Sequence, residues 1–319
     1  ADAIVRLLRQ SAATDIVEFG GGKCVLVGIR LDEDLPVLRV PLKDLAEKFS
    51  HIPQRVVAIH RGQKTIIPGG DHRLQKGDQM FLVCHPNYVQ DVIDLTGKSG
   101  TKINDVMILG GGLIGQFIAT TISKEINTKV IESSASRSQH IADVLSSSLI
   151  IHGSGTDIDL LAAEGIMDMD AFVAVTGDDE TNIISTLVAR HLEVHRTIAL
   201  VNNVEYLPIT PTIGMDAVVS KQLITVNAVQ RFIRHQTVAT VASLPEIEAE
   251  TIEFHVNENS KITKKPLKDI KFPKSAIVGA ILREDEYITP MGNTQIQAGD
   301  DVIVFMLPHT RDQVEKLFR

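Results

Sequence analysis

The middle of the chain alternates short apolar runs with stretches whose apolar residues have helical spacing. Six runs are predicted to be strands, at residues 106–109, 129–132, 149–152, 171–175, 197–201 and 217–220. Strands that alternate with helices form βα units, and their parallel sheet is buried on both faces. We therefore predict an α/β fold with a Rossmann-like doubly wound parallel sheet and right-handed crossovers.

The two segments that flank this sheet repeat each other. The sequence Pro-Leu-Lys-Asp at 41–44 returns at 266–269, after which the spacing between the copies shortens by three residues. Five turn residues then match in order: Pro68, Gly70, Gly77, Asp78 and Pro86 fall on Pro290, Gly292, Gly299, Asp300 and Pro308. Glycine and proline are each a minority of residues, so this agreement indicates a duplication.

Each copy is predicted to be a small α+β unit. In the first copy we expect strands at 25–31 and 79–85, a hairpin of 55–60 with 64–67, and helices after Pro41 and at 87–95. In the second copy we expect strands at 252–256 and 301–307, a hairpin of 276–282 with 287–289, and helices after Pro266 and at 310–318. A unit of roughly 75–80 residues buries a limited core alone, so we expect the copies to pair.

These patterns divide the chain into three predicted domains. They are a first α+β repeat at 1–99, the Rossmann-like domain at 100–236 and a second α+β repeat at 237–319. The second repeat follows a long α/β segment, and the residues ahead of it, 231–234, match residues 6–9, which predicts that the chain opens within a helix. We therefore expect the chain to be the C-terminal part of a longer protein with an earlier α/β domain; a short natural chain is the alternative.

Composition narrows the class of protein. The 319 residues are 44% hydrophobic and 23% charged, which is typical of a globular protein. The net charge of −8 argues against nucleic acid as a partner. Two cysteines are too few for a disulfide scaffold and suit a reducing cytosol. No apolar run approaches the ~18 residues of a membrane span, so we expect a cytoplasmic protein.

A glycine-rich loop follows the first strand of the predicted parallel sheet. Residues 110–115 read Gly110-Gly111-Gly112-Leu113-Ile114-Gly115 and contain the pattern G-x-G-x-x-G between a strand and a helix. In this pattern Gly110 permits the tight turn, Gly112 lets a phosphate approach the backbone, and Gly115 lets the helix pack close to the sheet. The helix begins near Leu113, and its free N–H groups would face the phosphates.

Glu132 ends the next predicted strand, where this fold carries the acidic residue that binds the adenosine ribose. A carboxylate here accepts hydrogen bonds from the ribose hydroxyls and repels a 2′-phosphate, which argues against NADP. NAD(H), ATP, ADP and AMP all carry the same ribose and a phosphate. The sequence therefore predicts an adenine nucleotide and leaves the choice among these ligands open.

Two further loops follow the third and fourth predicted strands. Gly153 and Ser154 are placed where they would cover the adenine side of a nucleotide, while Asp157 is either part of that site or the N-cap of the next helix. Thr176 and Gly177 follow the fourth strand, and we expect their backbone to touch the nucleotide. The acidic residues after Gly177 suit a helix N-terminus, so a structural role for them is equally open.

Other chemistry is weakly represented. His191 and His195 have the spacing of a metal pair on one helix, but they also suit the C-terminal end of a helix dipole, and we expect no metal site. No nucleophile elbow or convincing acid–base pair accompanies the glycine loop, and we expect no catalytic residues. A nucleotide-binding regulatory module is therefore favoured, and an NAD-dependent oxidoreductase is the alternative.

The order of repeat, nucleotide-binding sheet and repeat resembles the TrkA family, the peripheral regulatory subunits of bacterial Trk potassium uptake systems, built from RCK (regulator of potassium conductance) units. The resemblance is carried by Gly110–Gly115, Glu132 and residues 153–157, 174–182 and 199–203, and with both repeats it covers essentially the whole chain. Ser133 and Ser134 depart from it, since relatives often have charged residues after the acid.

The resemblance implies a function without catalysis. It implies NAD(H) or ATP/ADP as a regulatory ligand, held with Glu132 on the ribose and Thr176 nearby. It also implies a homo-oligomer, expected to be a ring, that gates a membrane potassium channel or transporter subunit of the TrkH/TrkG type from the inner face of the cell membrane.

Overall fold

The structure, a computed structural model, describes residues 1–31, 35–62, 64–97, 102–210, 213–233, 238–243, 247–284 and 286–319. Its residues form two compact units. The parallel-sheet unit holds Ala1–Thr14 and Gly100–Leu223, and the repeat unit holds Asp15–Ser99 and Ile224–Arg319. The predicted domain boundaries at 99/100 and 236/237 lie outside the described residues, and the three-domain division stays a prediction.

The chain begins with a helix, α1 (Asp2–Arg9), and then forms the first repeat. The strands of this repeat are β1 (Asp15–Phe19), β2 (Cys24–Arg30), β3 (Gln54–Arg61), β4 (Lys64–Ile66) and β5 (Gln79–Cys84), and its helices are α2 (Leu42–Lys48) and α3 (Val89–Leu95). The strands pair antiparallel in the order β1-β2-β5-β3-β4. All elements predicted here are present, and β1 is an additional edge strand.

The next segment forms the parallel sheet. Its strands are β6 (Asp105–Leu109), β7 (Asn127–Glu132), β8 (Leu149–His152), β9 (Ala171–Ala174), β10 (Arg196–Leu200) and β11 (Ala217–Val219). Between them lie α4 (Leu113–Ile122), α5 (Ala135–Val144), α6 (Ile158–Ala163) and α7 (Asp179–His191), and α8 (Lys221–Ile233) follows β11. All pairs are parallel, in the order β11-β10-β9-β6-β7-β8.

The order of strands places a crevice at one point of this sheet. The chain moves outward from β6 through β7 to β8, then returns and continues outward from β9 on the other side of β6. The loops after β6 and β9 therefore leave in opposite directions from neighbouring strands. In open parallel sheets, ligands bind at the carboxyl ends of strands at this switch point.

Helix α1 completes the parallel-sheet unit from a distant part of the sequence. It packs against α4 and β11 and buries Ile4, Val5, Leu7 and Leu8. Arg9 forms an exposed ion pair with Glu125, 3.5 Å between nitrogen and oxygen. Sequence patterning predicted a helix at this end of the chain but assigned it to the first repeat.

The second repeat has the same architecture as the first. It contains β12 (Val238–Ser243), β13 (Glu250–His255), β14 (Ala276–Arg283), β15 (Glu286–Ile288), β16 (Asp301–Met306) and α9 (Arg311–Phe318), with strands in the order β12-β13-β16-β14-β15. Where α2 stands in the first copy, the second has only a single 3₁₀ turn, Leu267–Asp269. This shorter element accounts for the three-residue difference in spacing between the copies.

The duplication extends to irregular features of the two sheets. The register of β3 with β5 shifts between Val56 and Ala58, and that of β14 with β16 shifts between Val278 and Ala280. Each copy also contains one arginine paired with a nearly fully buried aspartate. These pairs are Arg61 with Asp78 and Arg283 with Asp300.

The two repeats share one hydrophobic core, as their small size led us to expect. Phe19 and Phe305, from different copies, meet edge to face with ring centroids 6.1 Å apart. At the second irregularity, a Cβ on Gly279 would lie 2.7 Å from the ring of Phe305 and 3.1 Å from Cγ1 of Val57. The absence of a side chain at Gly279 therefore allows the two copies to pack closely.

In the part of the chain that the structure describes, no helix combines the length and apolar character that crossing a bilayer requires.

Candidate functional site

The glycine loop lies at the switch point of the parallel sheet. Gly110 follows β6 with a φ of +107°, a backbone conformation that favours glycine. Its N–H donates to the carbonyl of Ile131 over 2.8 Å. A Cβ on Gly110 would lie 3.0 Å from the backbone nitrogen of Thr176, so the loops after β6 and β9 touch at this point.

The other glycines of the loop serve different purposes. A Cβ on Gly115 would lie 1.9 Å from the carbonyl oxygen of Gly110, and one on Gly111 would lie 2.3 Å from Cδ1 of Ile141. Gly115 therefore meets backbone that cannot yield, whereas a side chain at Gly111 would displace the tip of Ile141, so packing within the protein accounts for both glycines. Gly112 differs, because a Cβ there would meet no atom within 4 Å.

Gly112 precedes the first turn of α4 and leaves that helix uncapped by a side chain. The first N–H groups of a helix have no partner within it, and they carry the positive end of the helix dipole. The first amides of α4, at Leu113 and Ile114, are thus the groups that an anion at Gly112 would meet. Leu113 itself is 88% exposed, so its side chain leaves this mouth accessible. These are the features of a phosphate cradle.

Glu132 is a buried carboxylate at the end of β7. Its Oε2 accepts from the N–H of Gly111 at 3.2 Å, and its Oε1 accepts from the N–H of Ser134 at 2.8 Å. Burial pushes the pKa of Glu132 upward, but the hydrogen bonds from Ser134 and Arg137 and the charge of Arg137 outweigh it and hold the pKa below its ordinary value. Glu132 is therefore a carboxylate at neutral pH and is directly bonded to the glycine loop.

Arg137 is a residue of the site that the sequence did not reveal. One of its terminal nitrogens donates to Oε1 of Glu132 over 2.9 Å. Arg137 lies in the first turn of α5, whose N-cap is Ser134. Its position was the only indication in the sequence, because a cation in the first turn of the helix that follows Glu132 can reach back to that carboxylate. Ser133 supplies a weak contact to Glu132, and Ser134 supplies this cap.

The loop after β9 is tied together internally. Thr176 donates from both its N–H and its hydroxyl to Oδ1 of Asn182, at 2.9 and 2.7 Å. Asn182 is fully buried and in turn donates to the carbonyl of Leu200. The polar groups of Thr176 therefore already have partners, whereas a Cβ on Gly177 would meet nothing within 4 Å. Gly177 is the open position of this loop.

The acidic residues after Gly177 hold structure. Asp178 caps α7 by accepting from the N–H of Thr181 at 2.7 Å. Asp179 accepts from the backbone N–H groups of Asn202 and Asn203, at 2.9 and 2.7 Å, which fixes the loop after β10. Of the two roles left open by the sequence for these acids, the structural one is observed.

The loop after β8 lies beside Glu132. The N–H of Gly153 donates to the carbonyl of Glu132 over 3.0 Å. A Cβ on Gly153 would lie 2.2 Å from the tip of the Leu160 side chain, so a larger residue there would have to displace that side chain. The hydroxyls of Ser154 and Thr156 are hydrogen-bonded to each other, and Asp157 caps α6 by accepting from the N–H of Leu160. The assignment of Gly153 and Ser154 to the adenine side stays a prediction.

The possible metal pair does not have the geometry that its spacing indicated. Helix α7 ends at His191, and Glu193 has a φ of +65°. His195 therefore lies beyond the helix and does not share a face with His191. Within the described ranges, no group of three or more histidine, cysteine, aspartate or glutamate residues is arranged to hold a metal ion.

The fold and this site define the class of the protein. It combines, in one chain, a Rossmann-like α/β domain that has a glycine loop and an acidic strand end with a duplicated α+β unit. The family model of the TrkA-N domain matches residues 106–221, and that of the TrkA-C domain matches residues 26–97 and 251–319. The chain belongs to the TrkA family, which confirms the resemblance seen in the sequence.

Curated relatives match along the whole chain. The chain is 35% identical over 321 residues to Trk system potassium uptake protein TrkA homolog 2 of Methanosarcina mazei, with 100% of this chain and 71% of that protein covered. It is 34% identical to Trk system potassium uptake protein TrkA of Azorhizobium caulinodans, with 100% of this chain and 70% of that protein covered.

Solved structures share the fold at low sequence identity. The crystal structure of the GsuK RCK domain matches with a TM-score of 0.53 at 17% identity, covering 99% of this chain and 68% of that one. A GsuK channel bound to NAD matches with the same TM-score and identity, covering 99% of this chain and 57% of that one. The predicted fold class is confirmed.

Proposed function

We propose that this chain is a nucleotide-binding regulatory part of a potassium uptake system. Its curated relatives are named as potassium uptake proteins, and one channel that shares the fold has been solved with NAD. The chain's own contribution to the argument is the site at the switch point. The ligand class that fits it is an adenine nucleotide, NAD(H) or ATP/ADP.

The observation that carries the proposal is the open space at Gly112 beside an ionised carboxylate. Glycines 110, 111 and 115 are required by packing or backbone conformation, but nothing in the described protein fills the space next to Gly112. A phosphate there would accept from the first amides of α4. Glu132 would accept from the ribose hydroxyls, and the base would extend toward the loop of Gly153 and Ser154.

The nucleotide supplies charge and hydrogen-bonding groups, and the protein's part is to bind and orient it. The loops after β6 and β7 are joined by the hydrogen bond from Gly111 to Glu132, and the loops after β6 and β9 approach each other closely at Gly110 and Thr176. A nucleotide that contacts all three loops stabilises the arrangement of the loops to which it binds more tightly. Nucleotide binding therefore shifts the protein toward that arrangement.

We further propose that several copies of the chain assemble, as a ring, on a potassium-conducting membrane subunit at the inner face of the membrane. A nucleotide shifts such an assembly only if it binds two arrangements with different affinity. Moving an equilibrium from 1:99 to 99:1 takes an affinity ratio of about 10⁴ over the whole assembly. Several nucleotide sites in one assembly reach this ratio together, because the affinity ratios of the individual sites multiply.

Isothermal calorimetry with NADH, ADP and ATP tests the site. Glu132→Gln keeps the size of the side chain and removes its charge, so we expect binding of each ligand that the wild type binds to weaken by about tenfold, in line with ~1.5 kcal/mol for a charged hydrogen bond. Lys124→Ala, an exposed change after α4, is the control and should bind as the wild type does. Unchanged affinity in Glu132→Gln would remove the basis of the proposal.

Potassium flux tests the regulatory role. Proteoliposomes that contain the membrane subunit of the same uptake system should change their K⁺ flux when this chain is added, and the change should depend on nucleotide. Glu132→Gln should respond only at higher nucleotide concentration. NADH oxidation with carbonyl substrates and no effect on flux would instead favour the oxidoreductase.

A further inference from the structure

The carboxylate of Glu132 is already well supplied with hydrogen-bond donors. It accepts from the N–H of Gly111, the N–H of Ser134 and the guanidinium of Arg137, with distances of 3.2, 2.8 and 2.9 Å. The Ser133 hydroxyl adds a long contact of 3.4 Å. An ionised carboxylate has about four acceptor positions, so little capacity remains for the two hydroxyls of a ribose.

The donors differ in how readily they can leave. Gly111 and Ser134 donate from the backbone, at the glycine loop and at the N-cap of α5, and these segments are fixed by the fold. Arg137 donates from the end of a long side chain that is 62% exposed, against 4% for Glu132. Its release leaves the guanidinium in water and leaves both backbone donors on the carboxylate, so it costs less than removing the last partner of a buried charge. Arg137 is therefore the strong donor that can move.

We propose that Arg137 is a latch on Glu132, which a ribonucleotide must displace in order to place its ribose hydroxyls on the carboxylate. This inference rests on the proposed nucleotide site and adds a means of regulating it. With the latch closed, Arg137 occupies Oε1 and shields the acid. With a ribonucleotide bound, the guanidinium is released on the exposed surface of α5.

The latch makes the response depend on the sugar. A nucleotide without ribose hydroxyls leaves Arg137 on Glu132 and does not incur the cost of opening. A nucleotide with both hydroxyls gains the bonds to Glu132 but loses part of that gain to the release of Arg137. Arg137 is thus a positioning residue that lowers the apparent contribution of the ribose hydroxyls to affinity.

The test compares ADP with 2′,3′-dideoxy-ADP by calorimetry on the full chain. The measured quantity is the ratio of the two dissociation constants, which cancels any general effect of a positive charge on an anionic ligand. Removal of the latch in Arg137→Ala should raise the preference for ADP over the dideoxy analogue by about two- to fivefold relative to the wild type. Arg137→Lys, which keeps one donor and the charge, should give an intermediate ratio.

Lys124→Ala removes one exposed positive charge elsewhere and should leave the ratio at the wild-type value. An unchanged or smaller ratio in Arg137→Ala, with ADP still bound, would overturn the latch and leave the nucleotide site standing. Failure of both the wild type and Arg137→Ala to bind ADP would overturn the site and the latch together. A larger ratio in Arg137→Ala but not in Lys124→Ala supports the latch.

Discussion

Two glycines of the same loop are expected to respond to substitution in opposite ways. In Gly115→Ala the new Cβ would start 1.9 Å from the carbonyl oxygen of Gly110, so α4 has to move away from the loop by more than an ångström. Such overpacking costs about 1–3 kcal/mol, and the better helix propensity of alanine returns about 1 kcal/mol. The net loss in the free energy of unfolding is therefore about 0–2 kcal/mol, and the displacement of more than an ångström favours the upper end of that range.

Gly112→Ser should leave stability almost unchanged. Gly112 has a φ of −71°, which any residue adopts, and a Cβ there would meet nothing within 4 Å. Serine is also at least as good an N-cap as glycine, so the free energy of unfolding should stay within about 0.5 kcal/mol of the wild type. The serine side chain nevertheless enters the space assigned to the phosphate, and we expect ADP to bind at least about tenfold more weakly.

Urea unfolding followed by circular dichroism measures the stability of both variants, and calorimetry measures their affinity for ADP. The expected pattern is a destabilised Gly115→Ala and a stable Gly112→Ser that binds poorly. Wild-type affinity in a stable Gly112→Ser would show that the phosphate does not lie against this loop. Wild-type stability in Gly115→Ala would show that the close approach of α4 to Gly110 is not tight.

Three further predictions concern buried charge and thiols. Asp78→Asn and Asp300→Asn break equivalent ion pairs in the two repeats, so each should lower the free energy of unfolding by about 2–4 kcal/mol in urea titrations. The control Asp71→Asn, in an exposed pair with Lys43, should not move the unfolding midpoint. A large effect in one repeat alone would contradict the equivalence of the two pairs. Because the pKa of Glu132 is lowered on folding, its contribution to the free energy of unfolding is present above the unfolded-state pKa and is lost as the pH falls through the folded-state pKa. Urea titrations from pH 7 to pH 3 should therefore show a smaller loss of stability in Glu132→Gln than in the wild type, and an equal loss in both would contradict this. Burial raises the pKa of Cys84 to about 12 and that of Cys24 well above its ordinary value. A disulfide reagent at pH 8 should therefore label both thiols in denaturant and neither in the native protein, and rapid labelling of the native protein would contradict their burial.

Much of the fold was accessible from the sequence because its signals are local. The apolar runs that became β6, β9 and β10 are buried along nearly their whole length, which is what a parallel sheet covered on both faces produces. The repeated turn residues, such as Gly77-Asp78 and Gly299-Asp300, mark equivalent turns in two sheets of identical strand order. The glycine loop could be placed between the first strand of this sheet and the helix after it for the same reason, whereas its position at the switch point depends on the strand order.

Elements that depend on distant partners were not predictable in this way. Strand β1 has no clear alternation of polar and apolar residues, and it is recognisable only through its antiparallel pairing with β2. Helix α1 was identified as a helix, but its apolar face is buried against α4 and β11, which come roughly one hundred and two hundred residues later in the chain. The pattern of one helix does not tell which sheet it covers.

The contact between Arg137 and Glu132 lies between these two cases. It joins residues five positions apart, yet it depends on the chain reversing direction at Ser134, which caps α5 and brings the first helical turn back over the end of β7. The same turn chemistry recurs wherever a helix N-cap closely follows an acidic strand end. A cation in the first helical turn after the acid should therefore be considered together with that acid when such a site is read from sequence, since under the proposed latch the cation competes with the ligand for the carboxylate.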